Sequence, residues 1–490
     1  MNPDRRAFLK SATLATAAPA FLRAQSSRPN VVYILTDEWR AQATGYAGDT
    51  NAQTPALDKL AGESVNFVNA CSNHPVCAPY RSSLITGQFP LTHGVFLNDE
   101  ELKPEGATLG QVFTTAGYNT GWIGKWHMYG SPQGNYERRT AYIPPDHRFG
   151  FSYWKANECT HDYNHSIYYE GENPAPKYWP GYDAIAETTD ACTFIQQQAK
   201  TRDPFLLVLS MGPPHFPLDT APEQYQALYR NREIKLRPNV PANVKTKAIS
   251  DLRGYYSHIK AVDDCIARVL STLDKAGIAE NTVVIFTADH GDMMGSQGLP
   301  STTKHVAWDE SIRVPFLLRY PKKLGTKPRR IQTVLGTPDI MPTLLNLADL
   351  KTPDGVQGTD YSKVAAGSAP PKDSAALLQF PAAYGALRTA GWSEYRGIRT
   401  QQYTLVRTLK GPELLFDNHA NPYQMNNLAH RAESQKLLAN LDKTLNARLK
   451  AVNDNFLPGR EYIKRFGYEH NHEIAPLSGV HGTSGGRSTG

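Results

Sequence analysis

Asn30-Val31-Val32-Tyr33-Ile34-Leu35-Thr36-Asp37-Glu38 is a run of apolar and β-branched residues that stops abruptly at two carboxylates. A strand with one face in water alternates polar and apolar side chains. This run does not, which suits a strand covered on both faces, as in a parallel sheet. Asn119 to Gly124, Phe205 to Met211, Thr282 to Ala288 and Val314 to Tyr320 have the same character. Helical periodicity separates them, around Leu109 to Ala116, Asp183 to Lys200 and Leu252 to Ala276. Another helix opens at Thr54-Pro55, with Thr54 as N-cap and Pro55 at the first helical position. Strands alternating with helices predict an α/β fold, a large mixed sheet sandwiched by helices. In such folds functional groups gather beyond the carboxyl ends of the strands.

At 490 residues the chain exceeds the roughly 250–300 at which one core usually stops growing, so two unequal domains are expected. Hydrophobic residues make up 40% and charged residues 20%, an ordinary soluble composition. Beyond the N-terminal segment no apolar run approaches the ~20 residues of a membrane span, so no stable membrane anchor is expected. The net charge of +6 comes from scattered Lys and Arg. It leaves no footprint for nucleic acid and mildly favours anionic substrates. Five cysteines, Cys71, Cys77, Cys159, Cys192 and Cys265, show no zinc spacing. A bridge among those other than Cys77 would be permitted in an oxidising compartment.

The N-terminus, Asn2-Pro3-Asp4-Arg5-Arg6-Ala7-Phe8-Leu9-Lys10 followed by a small apolar stretch, reads as a twin-arginine export signal over 1–25. Its partner is the twin-arginine export machinery, and the mature protein is expected to be periplasmic or secreted. A catalytic domain is expected over 26–365, a smaller C-terminal α+β subdomain over 366–472 and a disordered Gly- and Ser-rich tail over 473–490. Within the first, Met128 to Tyr182 reads as a long ordered loop excursion, rich in Tyr, Trp, His and Pro. In the second, Gly397 to Arg407 and Glu413 to Asp417 read as strands of a small sheet under a helix from Ala432 to Val452.

Cys77-Ala78-Pro79-Tyr80-Arg81 runs on into Ser82-Ser83-Leu84-Ile85-Thr86-Gly87. This C-x-P-x-R element resembles the signature of the type I, formylglycine-dependent sulfatases of the alkaline phosphatase-like superfamily. Gly124-Lys125-Trp126-His127, the segment Pro214-His215-Phe216-Pro217, and Asp289-His290-Gly291-Asp292 resemble further elements of that family. The similarity runs from about Pro29 to about Val452. It implies that a formylglycine-generating maturation enzyme oxidises Cys77 to an aldehyde whose hydrate attacks sulfur. The second hydroxyl then loses its proton, and the aldehyde re-forms with release of sulfate. It further implies a site for Ca²⁺, or Mg²⁺, made by Asp37, Glu38, Asp289, His290 and the converted Cys77, carboxylates being the ligands a hard cation takes. Glu38 departs from the Asp common at its position. Arg81 would anchor the hydrate, Lys125 and Lys304 would bind the sulfate oxygens, His127 would hydrogen-bond the hydrate, and His215 would protonate the leaving alkoxide. Lys304 aligns to share that last role. His305 and Lys260 read as solvated surface groups.

These motifs imply a sulfatase acting on a sulfated carbohydrate. Candidates for recognising the alcohol are His74, Tyr80, Asn98, His147, Arg148, Trp154, His161, His165, Trp392 and Arg396, loop aromatics, cations and amides of the kind that stack on sugars and pair with their anionic groups. Two other readings share the motifs: a phosphonate or phosphate ester hydrolase, and a catalytically silent glycan-binding homologue.

Overall fold

The structure is a computed structural model of the chain and describes residues 28–201, 203–371, 374–384 and 391–471. The export segment over 1–25 and the tail over 473–490 lie outside the described residues. A ten-stranded sheet organises the larger part of the molecule. Its strands are β1 (Asn30–Asp37), β2 (Val65–Cys71), β3 (Asn119–Lys125), β4 (Tyr153–Asn157), β5 (Ile167–Glu170), β6 (Lys177–Tyr178), β7 (Phe205–Pro214), β8 (Thr282–Ala288), β9 (Phe316–Arg319) and β10 (Arg329–Gly336). They lie side by side in the order β10-β2-β9-β8-β1-β7-β3-β4-β5-β6.

At the centre β8, β1, β7 and β3 are mutually parallel neighbours. Every residue of β1, β7 and β8 is buried, which is why these strands read as unbroken apolar runs. The sheet is mixed because β9 runs antiparallel to both β8 and β2. Helices Asp183–Thr201 and Lys245–Lys275 pack together and against β7, while Cys77–Thr86 and Thr337–Leu347 form a separate pair.

The excursion from Met128 to Tyr182 is not all loop, a correction to the sequence reading: it supplies β4, β5 and β6, which widen the sheet. Strands of five, four and two residues are too short to show a period. An aromatic cluster of Trp122, Trp126, Phe151 and Trp154 holds the excursion down, its rings meeting edge to face with centroids 4.7 to 6.1 Å apart.

The C-terminal part is a four-stranded antiparallel sheet of β11 (Ala375–Phe380), β12 (Tyr395–Thr400), β13 (Tyr403–Thr408) and β14 (Gly411–Asp417). Helix Gln435–Ala451 covers it with Leu441, Leu445 and Leu449, spaced to fall on one side of the helix. Arg396 sits fully buried in this sheet and pairs with Asp454, Nη2 to Oδ1 at 3.2 Å. Asp454 also accepts from Tyr462 Oη and Gln379 Nε2. Asp454→Ala strands that guanidinium without its charge partner. We expect a loss of about 3–5 kcal/mol of folding stability, checked by urea denaturation, whereas an exposed change such as Lys410→Ala stays within about 0.5 kcal/mol.

No helix among the described residues is long and apolar enough to cross a membrane. All five cysteines are free.

Candidate active site

The four central parallel strands end at one edge of the sheet, and the motif residues stand on those ends. Asp37 is the last residue of β1 and Lys125 the last of β3. His215 follows β7, and Asp289-His290 follow β8. Cys77 is the first residue of helix Cys77–Thr86, entered from the extended Val76. Gly124 adopts φ +96° immediately before Lys125, and a Cβ there would fall 2.2 Å from the Ser210 carbonyl oxygen. Only glycine lets β3 press this closely on β7 while turning Lys125 into the site.

Cys77 Sγ lies 3.3 Å from His290 Nε2, 3.4 Å from Lys304 Nζ and 3.6 Å from Asp37 Oδ1. Asp37 Oδ2 accepts from Lys125 Nζ at 2.7 Å and from Arg81 Nη2 at 3.3 Å. Arg81 also donates to Asp289 Oδ2 at 3.1 Å, so one guanidinium ties the ends of β1 and β8 together. All of these groups are buried. Burial works to raise the Cys77 thiol, but Lys125, Lys304 and His290 overcome it and hold the thiol well below its ordinary range. Burial and the neighbouring Asp37 push Asp289 up to about 6.

Asp37, Cys77, Asp289 and His290 bring their ligand atoms within 4.8 Å of one another, a spacing that fits a cation. The donor chemistry is decisive about which one. With a thiolate the set is two carboxylates, a sulfur and an imidazole, which suits zinc. With oxygen on the Cys77 side chain it becomes a largely oxygen set, which suits Ca²⁺ or Mg²⁺. The residues therefore fit a hard cation once Cys77 carries oxygen.

Glu38 stands in a second group, with Asp37 and His215, whose ligand atoms also lie within 4.8 Å of one another, so Asp37 is common to both groups. Its backbone takes a left-handed turn at φ +66°. Its Oε2 lies 3.1 Å from His215 Nε2. His215 Nδ1 faces the Phe216 carbonyl at 2.8 Å, and its Nε2 accepts from Lys304 Nζ at 2.9 Å. That pairing makes His215 a neutral imidazole at rest. Burial and Lys304 lower it to about 3. His127 stands beside Asp99, Nε2 to Oδ1 at 3.8 Å, with φ +56°.

Cys77, Lys125, His127, His215 and Lys304 line one cleft of about 400 Å³. Of the ten candidates for binding the alcohol, Asn98 and His161 line it as well. His161 stacks on His215 with ring centroids 4.4 Å apart.

The remaining eight lie elsewhere. His74 stacks on Phe380 and bonds the Gln379 carbonyl. Tyr80 points into the core, with its hydroxyl 3.4 Å from that of Tyr33. Arg148 donates to the Ile143 carbonyl and covers Trp154, which is itself in the aromatic cluster. His147 is held between Asp146 and Glu101. His165 stacks on Tyr178, and Trp392 meets Trp308 edge to face. Arg396 is the buried partner of Asp454. In each case packing or a local charge, not the cleft, uses the side chain.

The cleft also holds residues that sequence reasoning missed: Tyr136, Arg139, Cys159 and Tyr384. Arg139 grips Asp99 through both carboxylate oxygens, at 3.0 and 2.8 Å. His305 lines the cleft at φ +76° and packs edge to face on Tyr384, a correction to its reading as a solvated surface group. Lys260 pairs with Asp264.

A mixed sheet whose parallel centre ends in Asp37 and Lys125 and leads into Asp289, with a helix-start cysteine and Lys304 brought beside them, is the arrangement of a hydrolase of the alkaline phosphatase-like fold. The solved yidJ sulfatase structure from Bacteroides fragilis superposes with a TM-score of 0.79 at 30% identity, covering 90% of this chain and 99% of that one. The sulfatase family model matches residues 29–350, and the model for the C-terminal region of N-sulphoglucosamine sulphohydrolase matches 302–451. The chain belongs to the sulfatase family and is a sulfuric ester hydrolase. It is similar to the ulvan-active sulfatase of Formosa agariphila, 45% identical over 91% of this chain and 85% of that protein. It is also similar to the endo-4-O-sulfatase of Bacteroides thetaiotaomicron, 32% identical over 89% of this chain and 95% of that protein.

Proposed function

We propose that the protein removes sulfate from a sulfated polysaccharide or its fragments, using a formylglycine made from Cys77. The observation that carries this reading is the placement of Cys77 Sγ within 3.3 to 3.6 Å of His290, Lys304 and Asp37 on the wall of the cleft. A thiol so placed has the surroundings of a nucleophile. The polysaccharide substrate rests on the relatives named for ulvan and for an endo-acting 4-O-sulfatase.

Asp37, Asp289, His290 and the converted Cys77 would hold Ca²⁺ or Mg²⁺, which supplies positive charge to offset that developing on the sulfate oxygens. Lys125 and Lys304 orient the sulfate from two sides of Cys77. Arg81 fixes the Asp37 and Asp289 carboxylates so that neither has to reorganise during the reaction. The bond broken joins sulfur to the ester oxygen, and an unactivated sugar alkoxide needs a proton as it leaves. Lys304 holds that proton at Nζ, directed at His215 Nε2. We therefore place Lys304 and His215 together as the acid pair, with Glu38, which burial pushes well up from its ordinary range, beside His215.

Within this reading residues 26–365 carry the catalytic unit and 366–472 a smaller subdomain. Residues 1–25 direct export through the twin-arginine machinery to the periplasm or beyond. The maturation enzyme and the sulfated carbohydrate are its other partners.

Matched aryl sulfate and aryl phosphonate esters test the reading. Mature enzyme is expected to turn over the sulfate with the higher kcat/KM. A preference for the phosphonate would assign it to phosphoryl chemistry, and an unmodified Cys77 with no turnover of either would leave a glycan-binding protein.

A further inference from the structure

A second cavity, of about 400 Å³, lies outside the catalytic cleft and shares no lining residue with it. Arg40, Lys235, Arg237, Arg313 and Arg330 line it, against a single carboxylate, Asp49. That carboxylate is already committed, to the Tyr256 hydroxyl and to the Asn51 backbone amide. Arg237 and Arg313 are held by Glu310 and Asp309, at 3.0 and 3.1 Å.

Arg40 is different. It is only 2% exposed, and its Nε and Nη1 have no hydrogen-bond partner. Leaving two buried guanidinium N–H groups without acceptors is costly, and the donor fork of arginine matches the paired oxygens of a sulfate or carboxylate. Tyr423 also lines the cavity, its ring under the Arg237 guanidinium at 4.9 Å, and the hydroxyl of Tyr46 there is buried without a partner. An aromatic face beside clustered cations and an open hydroxyl suits a charged sugar ring.

We propose that this cavity is a second anion site, in which Arg40 binds an oxyanion, either a sulfate or carboxylate of a saccharide or free inorganic sulfate. Arg40 follows Asp37 by three residues, which places its backbone within about 11 Å of the Asp37 backbone. A saccharide unit bound there would belong to the same polymer neighbourhood as the ester being cleaved.

Selenate soaked into crystals of the mature enzyme is expected to give an anomalous peak against Arg40. Arg40→Gln should remove that peak and weaken sulfate binding at the cavity by at least about tenfold in calorimetry. Because Arg40 is buried, the exposed pair Lys235→Glu with Arg330→Glu provides a second variant that leaves the core untouched; it too should weaken binding.

The source of the anion is read from kinetics, an arm that rests on the sulfatase reading as the diffraction arm does not. If the anion is carried by the saccharide, the double variant raises KM for a sulfated oligosaccharide about tenfold and leaves KM for an aryl sulfate unchanged. If it is inorganic sulfate, both KM values hold while the cavity's selenate peak and heat of binding are lost. A selenate peak confined to the catalytic cleft, or wild-type anion affinity in both variants, overturns the proposal. Loss of aryl sulfate turnover in the wild type would instead count against the catalytic reading alone.

Discussion

Cys77→Ala is expected to reduce kcat by at least roughly 10⁴-fold while leaving the fold in place, because it deletes the atom on which attack depends and little else. The side chain is 1% exposed, and its neighbours Asp37, Lys125, Arg81 and Asp289 remain tied to one another without it. Removing one sulfur from such a site costs on the order of 1 kcal/mol, so a melting curve near that of the wild type should accompany the loss of turnover.

Cys77→Ser is the sharper variant. A single hydroxyl can attack sulfur but leaves a sulfate ester with no second hydroxyl on the same carbon to expel it. We expect at most one equivalent of alcohol released, with the mass of one SO₃ retained on the protein. Steady turnover by the Ser variant, or near-wild-type rates for Cys77→Ala, would remove Cys77 as the nucleophile.

The sheet's centre was legible because burial on both faces leaves a trace in sequence. Asn30 to Thr36 and Thr282 to Ala288 could hardly be anything but central strands, and their ends mark the site. Other strands left less trace. Val65–Cys71 is buried yet carries Asn66 and Asn69 among its apolar residues, and Arg329–Gly336 starts with exposed, charged positions, so neither shows a clean pattern. Asp37, Lys125 and Asp289 share that trace, since each stands at or just past the end of a central strand.

Recognition residues were not. Arg148, Trp154 and Arg396 are the kinds of side chain that bind charged sugars, but those same properties make good buried partners. Arg148 covers Trp154, and Arg396 meets Asp454. Residue type cannot distinguish the two uses; only position relative to the cleft does. Arg139 and Tyr136 escaped notice because they come from a turn with no period, brought to the cleft by the contact of Arg139 with Asp99. Glu38 shows the same limit at the scale of one residue. Adjacent to Asp37 in sequence, it sits at a positive φ that no pattern of residue types announces, with its carboxylate against His215.

Lys304→Met is the second large effect expected, a fall of about 10² to 10⁴ in kcat for a sugar sulfate, the range a positioned proton donor supplies. The argument starts from the resting protonation of the pair. Lys304 donates to His215 Nε2, and His215 Nδ1 faces a carbonyl, so the ammonium and not the imidazole carries the mobile proton. Burial, helped by Lys304, keeps His215 near 3, and it stays neutral at all pH values above that. An activated aryl leaving group needs little proton assistance, so the deficit should shrink by at least about tenfold on a nitrophenyl sulfate. Loss of the ammonium also removes one of the influences that depress His215, leaving burial and His161. Its protonation then moves to higher pH, and the contribution of His215 to the acid limb of kcat/KM in Lys304→Met shifts upward relative to the wild type. A deficit equal for both leaving groups, with an unmoved acid limb, would mean that Lys304 only holds the sulfate. Because the two residues hold one proton between them, adding His215→Ala to Lys304→Met should cost little more than either change alone.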